Sequence, residues 1–394
     1  MSSGKDYNRY VKWVRCIVAI VICLTVITVV VLSAKSRING NKNSEPTTEY
    51  SENSVIPEDE EAYDLPPRVL NSDVVPYDGQ RRAISCWGDS MMFGIGAGEA
   101  YVSGSDEVLD ISGWTTPDTL EYLTGIKVYN LGVSGETSNE IALRQGGIKM
   151  YVDNTFEVGY DDSVEVSIVD EYGNPVYMAD FSAYGYVEPH EPDVVYINDD
   201  MFKITGTEET GLYICRYSET EVGGDAFTTV YEGTQVTTKA SYERKGDILI
   251  LEIGSNGGWD NYRQLISQYD AMIQNAGCDY YIIVGDTDDP GTSIADTSQG
   301  FCNEDGTYIG VGDTAWEATL SEAYGEHFIN MRTYLIENGL SDAGLRATNA
   351  DYRGFRRGRI SKQLRSDWTH FNSYGYYAKG LAIYEKGVEL GYWK

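Results

Sequence analysis

Residues 247–256 read DILILEIGSN, an apolar run that begins after an acid and ends in Gly, Ser and Asn. An apolar run of this length with turn residues behind it is typical of a strand buried on both faces, as in a parallel sheet. Residues 82–90, RAISCWGDS, and residues 127–132, KVYNLG, have the same form. Because the carboxyl ends of parallel strands share one edge of a sheet, we expect these three terminal stretches to meet.

Segments with helical periodicity alternate with these strands, and they cover residues 118–123, 137–145, 260–274, 314–324 and 374–390. Alternation of this kind predicts an α/β fold, in which helices cover both faces of a mostly parallel sheet. Between residues 149 and 246 the pattern changes to short strands rich in Tyr, Val and Thr, with no long helix. We therefore expect a small β-rich domain to be inserted into the α/β unit.

The N-terminal region has a different character. Residues 16–34 are 19 consecutive uncharged and mostly aliphatic residues. At about 1.5 Å per residue they reach about 28 Å, which predicts a transmembrane helix. A cleaved signal peptide is the alternative, although its apolar region is usually only about 7 to 15 residues long. Residues 35–78 are rich in acids, Pro, Ser, Thr and Asn and predict a disordered linker.

The predicted domain organisation follows from these patterns. It comprises a cytoplasmic tail (1–15), a transmembrane helix (16–34), an acidic linker (35–78), a first α/β part (79–148), a β-rich insert (149–246) and a second α/β part (247–394). The chain would then be a single-pass protein of the cell membrane with an extracellular catalytic domain. Its expected contact with the lipid bilayer is through residues 16–34.

Composition excludes several function classes. The chain has 30 Lys and Arg residues against 61 Asp and Glu, a formal net charge of −31, which disfavours binding to the phosphates of nucleic acid. With 3 His and no CxxC pair, we expect neither a His/Cys metal centre nor a cofactor. Cys86 and Cys278 lie in apolar, strand-like runs and are expected to be buried thiols.

Four short stretches carry candidate chemistry. GDS (88–90), NLGVSG (130–135) and GSN (254–256) follow the three predicted strands, and DWTH occupies residues 367–370. Together they supply a hydroxyl, backbone N–H groups beside Gly, a side-chain amide and an Asp/His pair, which acyl transfer to Ser requires. Of the 3 His residues, His370 alone stands beside an acid in a loop before a terminal helix.

These four blocks, in this order, resemble the signature blocks of the SGNH (GDSL-type) hydrolase superfamily. The resemblance covers residues 80–148 and 247–394, and it implies a three-layer α/β/α fold with a flavodoxin-like sheet and a serine esterase activity. It implies that Ser90 is the nucleophile, His370 the general base and Asp367 the residue that orients the base. The Ser90 N–H, the Gly135 N–H and the Asn256 side-chain amide would form the oxyanion hole.

The sequence departs from the family pattern at two positions. Met91 replaces the Leu of the GDSL name, a conservative change that affects packing. Gly257 stands where many members carry Asp after the Asn, so a bracing contact from that carboxylate is missing and the placement of Asn256 is open.

The resemblance leaves the substrate open, since the superfamily includes several kinds of esterase. The expected substrate is an acylated small molecule or polysaccharide, and O-deacetylation of a carbohydrate or cell-wall polymer is the leading hypothesis. Trp114 and Trp259, near the second and third blocks, are candidates for stacking on sugars. The alternatives are a lipid, thioester or aryl esterase of the same superfamily, or a non-catalytic glycan-binding surface module.

A basic segment, residues 346–365, leads directly into the Asp367 block. It contains six Arg residues and Lys362 against a single acid, Asp351. Arg365 is therefore a candidate for binding a carboxylate or phosphate of an anionic substrate. The alternative is that these bases form ion pairs with the acidic body of the protein.

Overall fold

The computed structural model describes residues 77–103, 108–159, 162–177, 194–207, 210–217, 227–258, 262–287 and 315–393. The predicted tail, the predicted transmembrane helix and most of the predicted linker lie outside the described residues, as does Trp259. Within these ranges, no helix is both long enough and apolar enough to cross a membrane. All of these described residues belong to one compact unit.

The strands have the following bounds: β1 (Ile84–Gly88), β2 (Tyr101–Ser103), β3 (Val108–Asp110), β4 (Val128–Gly132), β5 (Met150–Val152), β6 (Phe156–Val158), β7 (Val164–Val166), β8 (Ile168–Asp170), β9 (Val194–Ile197), β10 (Asp200–Thr207), β11 (Gly211–Arg216), β12 (Thr228–Val230), β13 (Gln235–Thr238), β14 (Ile248–Glu252), β15 (Tyr281–Val284) and β16 (Phe328–Ile329).

The α-helices have the following bounds: α1 (Ser90–Phe93), α2 (Thr116–Thr124), α3 (Ser138–Gln145), α4 (Lys239–Glu243), α5 (Tyr262–Ala276), α6 (Ala315–Tyr324), α7 (Met331–Glu337), α8 (Gly339–Asp342), α9 (Asn349–Phe355) and α10 (Ser373–Glu389). Short 3-10 helices cover Gly325–His327 and Lys362–Leu364.

Five parallel strands form one sheet in the order β16, β15, β14, β1, β4. The central strand β1 pairs with β14 and β4, so that Gly88 lies beside Glu252 on one side and Gly132 on the other. All five residues of β1 and of β14 are buried, because helices cover both faces of this sheet. The loops that follow β1, β4 and β14 therefore leave the sheet at the same edge.

Alternate residues of these strands enter two apolar clusters. On one face Trp87 and Leu251 pack with residues of α3, α5 and α6. On the other face Cys86 and Ile250 pack with residues of α1, α2, α7, α8 and α10. Cys86 and Cys278 are buried free thiols. The parallel sheet is thus fixed by apolar packing on both sides.

A second sheet has seven antiparallel strands in the order β7, β11, β10, β9, β13, β5, β8. Its two edge strands, β7 and β8, are separated in the chain only by Ser167, so the two edges of the sheet come together and it is nearly closed. Its apolar residues, such as Val195 and Phe202, belong to the same cluster as Trp87 and Leu251. One continuous core therefore joins this sheet to one face of the parallel sheet.

The predicted fold class is wrong. A three-layer α/β/α fold with a mostly parallel, flavodoxin-like sheet and a small β-rich insert was expected, together with an N-terminal transmembrane helix. The structure has mixed α and β content, and its largest sheet is the seven-stranded antiparallel one. The physical reason is that the antiparallel sheet nearly closes on itself. Each of its short strands, taken alone, predicts only a small element, but pairing around the nearly closed sheet gives the strands a common core.

Candidate active site

The candidate nucleophile follows the central strand β1 in the chain. Ser90 is the first residue of the short helix α1, and its side chain is largely buried. The carboxylate of Asp89 accepts a hydrogen bond from the Met91 N–H at 2.9 Å and so caps this helix. A Cβ at Gly88 would lie 2.7 Å from the carbonyl oxygen of Glu252 on β14 and 2.7 Å from the Cβ of Met92 on α1, so glycine is required where the chain turns from β1 into α1.

The candidate base faces this hydroxyl. The Nε2 atom of His370 lies 3.1 Å from the Oγ atom of Ser90, and Nδ1 lies 3.0 Å from Oδ2 of Asp367. The loop that carries both residues is fixed where the Ser366 N–H donates to the His370 carbonyl at 3.0 Å. It leads into α10, whose first turn is capped by Asn372. Ser90, His370 and Asp367 thus form one hydrogen-bonded chain.

Asp367 is held as a carboxylate by three donors. Oδ1 accepts from the backbone N–H groups of Thr369 at 2.8 Å and His370 at 2.7 Å, and Oδ2 faces the His370 ring. Burial by itself raises the pKa of Asp367, but these hydrogen bonds outweigh it and bring the pKa below its usual value. An ionised Asp367 fixes the imidazole orientation and stabilises the imidazolium that forms when His370 takes a proton.

Two backbone donors predicted for an oxyanion hole are available. Within the part of the chain that the structure describes, neither the Ser90 N–H nor the Gly135 N–H donates a hydrogen bond to another backbone or side-chain group. Gly135 has a φ of +85° and lies at the surface after β4. Both N–H groups are therefore free to donate to an oxygen that develops negative charge.

The third predicted donor is already engaged. The Nδ2 atom of Asn256 lies 3.2 Å from Oδ2 of Asp89 and 3.2 Å from the carbonyl oxygen of Glu136, so each of its hydrogens has an acceptor. This places Asn256 between the loop after β1 and the loop after β4. Donation to an oxyanion requires Asn256 to exchange one of these two protein acceptors.

The loop that carries Asn256 is braced without an acid at position 257. The Ser138 N–H donates to the Gly257 carbonyl at 3.0 Å, and Gly257 has a φ of +153°, which favours glycine. On the other side, the hydroxyl of Ser255 donates to Asp286 at 2.9 Å. Asp286 lies 3.7 Å from the guanidinium of the buried Arg332. These contacts replace the bracing that the missing carboxylate would supply.

A buried ion pair supports the loop that contains Gly135. The Nη2 atom of Arg144 lies 2.7 Å from Oε2 of Glu136 and donates to the Leu131 carbonyl at 2.8 Å. The guanidinium also lies 5.0 Å from the ring centroid of Trp87. Both charged side chains are almost completely buried. Arg144 therefore ties helix α3 both to strand β4 and to the loop that follows it.

A second buried ion pair lies beneath the site. The Nζ atom of Lys379, on α10, lies 2.6 Å from Oε1 of Glu252, and Thr287 donates to the same carboxylate oxygen at 3.1 Å. Glu252 is the last residue of β14 and pairs in register with Gly88. This pair connects the helix behind His370 to the strand that precedes Asn256.

Two of the three predicted substrate-binding residues lie in the described part of the chain. The Trp114 ring packs on Tyr122 of α2 at a centroid distance of 4.9 Å. Trp259 is not among the described residues. Arg365 is half-buried, and an antiparallel bridge pairs its backbone with Phe371, the residue after His370.

His327 lies elsewhere in the molecule. It is buried, its ring stacks on Tyr281 at a centroid distance of 4.2 Å, and its Nδ1 atom lies 3.0 Å from the Tyr392 hydroxyl. Within the described part of the chain, no group of three His, Cys, Asp or Glu side chains is arranged to hold a metal ion.

Sequence reasoning did not identify the acceptors and ion pairs that position the site. Asp89, Glu136 and Arg144 belong to this group. The spacing of Glu136 and Arg144 is one signal for this ion pair. Arg144 follows Glu136 by eight residues, or about two helical turns, so both side chains lie on the same side of helix α3. No such local signal links Asn256 to Asp89, because these residues meet only through the sheet.

No family model, no curated protein and no solved structure matches this chain. The interpretation of the site therefore rests on its geometry: a buried hydroxyl on Ser90, an imidazole on His370 within hydrogen-bond distance and a carboxylate on Asp367 behind it. This is the arrangement that activates a serine for acyl transfer.

Proposed function

We propose that the chain is a serine esterase with the SGNH-type arrangement of catalytic groups, and that it forms an acyl-Ser90 intermediate. The observation that carries this proposal is the hydrogen-bonded chain from Ser90 Oγ through His370 to Asp367, with distances of 3.1 Å and 3.0 Å. A serine hydroxyl is a weak nucleophile unless a neighbouring base takes its proton.

The first half of the reaction forms the acyl-enzyme. His370 Nε2 takes the Ser90 proton while Oγ attacks the ester carbonyl, and the negative charge develops on the former carbonyl oxygen. The N–H groups of Ser90 and Gly135 donate to this oxygen, and Asn256 joins them by releasing Asp89 or Glu136. When the tetrahedral intermediate collapses, the alcohol leaves with the proton that His370 holds.

The second half repeats these steps with water. His370 takes a proton from water, the resulting oxygen nucleophile attacks the acyl carbonyl, and Ser90 leaves with that proton. The products are a carboxylic acid and regenerated enzyme. Asp367 stabilises the imidazolium in both halves, which its lowered pKa supports because the carboxylate remains ionised.

The leading substrate hypothesis is an O-acetylated carbohydrate or cell-wall polymer. Trp368, between Asp367 and His370, is 70 % exposed, so an indole face stands beside the catalytic pair where a sugar ring can stack. The apolar run at residues 16–34 and the acidic segment after it support a location at the outer face of the cell membrane, where such polymers occur.

The test compares the full chain with Ser90→Ala on p-nitrophenyl acetate. We expect Ser90→Ala to lower kcat by at least about 10³-fold, since the nucleophile is lost. Ser341→Ala removes an exposed hydroxyl on α8 and is the matched control, with wild-type activity expected. Equal rates for wild type and Ser90→Ala would refute the proposal.

Acyl chain length and polymer type then separate the substrate classes. A preference for acetyl over longer acyl esters, with acetate released from acetylated xylan or peptidoglycan, supports a deacetylase. A preference for long acyl chains indicates a lipid esterase. Binding of glycans without any Ser90-dependent turnover indicates a non-catalytic binding module.

A further inference from the structure

The basic segment, residues 346–365, is a region of concentrated positive charge in a chain whose formal net charge is −31. It includes α9 and the 3-10 helix Lys362–Leu364. Five of its cationic side chains form no ion pair with any described carboxylate: Arg346, Arg353, Arg356, Lys362 and Arg365. Within the described structure, the positive charges of these five side chains are therefore not neutralised by ion pairs.

The one acid in the segment does not neutralise it either. Asp351 caps α9, where it accepts from the Thr348 N–H at 2.8 Å. It also accepts from the Ser361 hydroxyl at 2.6 Å and from the Gln363 side chain at 2.9 Å. Its carboxylate is thus occupied by neutral donors that shape the segment, and the five cationic side chains named above remain available.

The segment is attached firmly to the catalytic loop. The Asn372 side chain donates to the carbonyl oxygens of Gln363 at 2.9 Å and Arg365 at 3.3 Å. The antiparallel bridge between Arg365 and Phe371 sets their Cα atoms about 5 Å apart. Because Phe371 directly follows His370, the backbone of the basic segment at Arg365 is held beside the catalytic loop.

The side chain of Arg365 has one unsatisfied hydrogen-bond donor. Its Nε atom is buried and has no hydrogen-bond acceptor within the described structure. Burial lowers the pKa of Arg365, the positive charge of Arg359 lowers it further, and the Asp351 carboxylate opposes these effects only in part. A guanidinium in this situation is satisfied by an anion that accepts two parallel N–H groups, as carboxylates and phosphates do.

We infer that the basic segment binds the repeating anionic groups of the polymer whose ester Ser90 cleaves, so that the substrate is an acylated glycan bearing carboxylate or phosphate. This inference rests on the proposed esterase function. The acidic surface of the protein repels such a polymer, whereas the basic segment attracts it, so the polymer is directed across Ser90 and the exposed Trp368. Glycan is favoured over nucleic acid because nucleic acid carries no acyl ester.

The experiment measures binding of polymers to full-length Ser90→Ala, which separates binding from turnover. The probes are polygalacturonate for carboxylate, phosphomannan for phosphate, xylan as a neutral glycan, and a single-stranded RNA. The test variant adds Arg353→Gln and Arg356→Gln, both exposed. The matched control adds Arg81→Gln and Lys127→Gln, which removes the same charge at the opposite end of the parallel sheet.

We expect an anionic glycan to bind at low salt at least about tenfold more tightly than xylan. Arg353→Gln/Arg356→Gln should weaken that binding at least about fivefold, whereas the control pair changes it less than about twofold. The tighter of the two anionic glycans identifies carboxylate or phosphate as the recognised group.

Three results would overturn the inference: no binding of either anionic glycan, an equal loss of binding in the test and control variants, or tighter binding of RNA than of the glycans. Hydrolysis of p-nitrophenyl acetate by the wild type, measured in parallel, tests the esterase proposal separately. Ser90-dependent turnover together with any of the three results means that the esterase proposal stands and the inference fails.

Discussion

The His370 imidazole and the Ser90 hydroxyl lie 3.1 Å apart although 280 residues separate them in the chain. Ser90 is placed by the central strand β1, and His370 is placed by the loop that precedes the last helix, α10. Their contact depends on both the parallel sheet and the packing of α10 against it. The following predictions test what each supporting contact contributes.

Asp367→Asn should lower kcat on p-nitrophenyl acetate by about 10² to 10⁴-fold, because an amide cannot stabilise the imidazolium that His370 forms. The side chain of Asp367 is 49 % exposed, so the melting temperature should change little. Asp153→Asn, at an exposed position outside the site, is the control and should retain full activity. Wild-type kcat in Asp367→Asn would show that His370 needs no carboxylate partner.

Asn256→Ala should lower kcat by about 10² to 10³-fold with little change in KM, because one donor to the oxyanion is lost only in the transition state. Asn349→Ala, an exposed residue at the start of α9, is the control. The kcat and KM of both variants are measured by steady-state kinetics on an acetyl ester. A rise in KM at constant kcat would instead assign Asn256 to substrate binding.

Arg144→Met should reduce the free energy of unfolding by about 3 to 5 kcal/mol, since it leaves the buried Glu136 carboxylate without its cation. Lys127→Met breaks an exposed ion pair with Glu121 and should cost at most about 1 kcal/mol. Urea unfolding of both variants tests this difference. An equal loss of unfolding free energy in the two variants would mean that burial does not make the Arg144–Glu136 ion pair more stabilising than an exposed one.

Asp247 should make stability depend on pH. Burial raises its pKa to about 6, only partly opposed by Arg244, whereas the unfolded chain has the usual value near 3.8. Below pH 6 the folded state therefore binds a proton that the unfolded state does not, so stability rises as the pH falls from 7 toward 5. After allowance for solvent screening the gain is about 1 kcal/mol.

Asp247→Asn removes this titration. When the pH is lowered from 7 to 5, we expect the unfolding free energy of the wild type to increase relative to that of Asp247→Asn. Urea unfolding at the two pH values measures this shift. Catalytic activity should not change, because Asp247 precedes β14 at the end of the sheet opposite Ser90. A shift in the opposite direction would contradict the assigned pKa.

Sequence patterns predicted the local elements well where apolar periodicity was strong. The strand-like stretches 82–90 and 247–256 contain β1 and β14, and the predicted helix at 260–274 corresponds to α5, which is displaced by two residues. These segments are buried on both faces or strongly amphipathic, so local sequence determines them.

The size of the antiparallel sheet relative to the parallel sheet was not predictable from apolar periodicity. Strands such as β7 and β8 have three residues each, and they are stable only because distant strands pair with them. Likewise, the contact of Asn256 with Asp89 and the placement of Arg144 arise from loops that the sheet brings together. Chain-distant contacts of this kind leave no periodic signal in the sequence.

The position of the seven-stranded sheet between β4 and β14 affects the order of folding. The central strand β1 acquires its neighbour β14 only after the intervening chain has been closed into a loop, and the entropic cost of closure grows with loop length. Antiparallel pairing of Tyr151 in β5 with Gln235 in β13 brings the two ends of that loop together. Antiparallel pairing within this sheet therefore shortens the search for the parallel pairing, and we expect the hydroxyl and imidazole of the active site, which lie 280 residues apart in the chain, to meet late in folding.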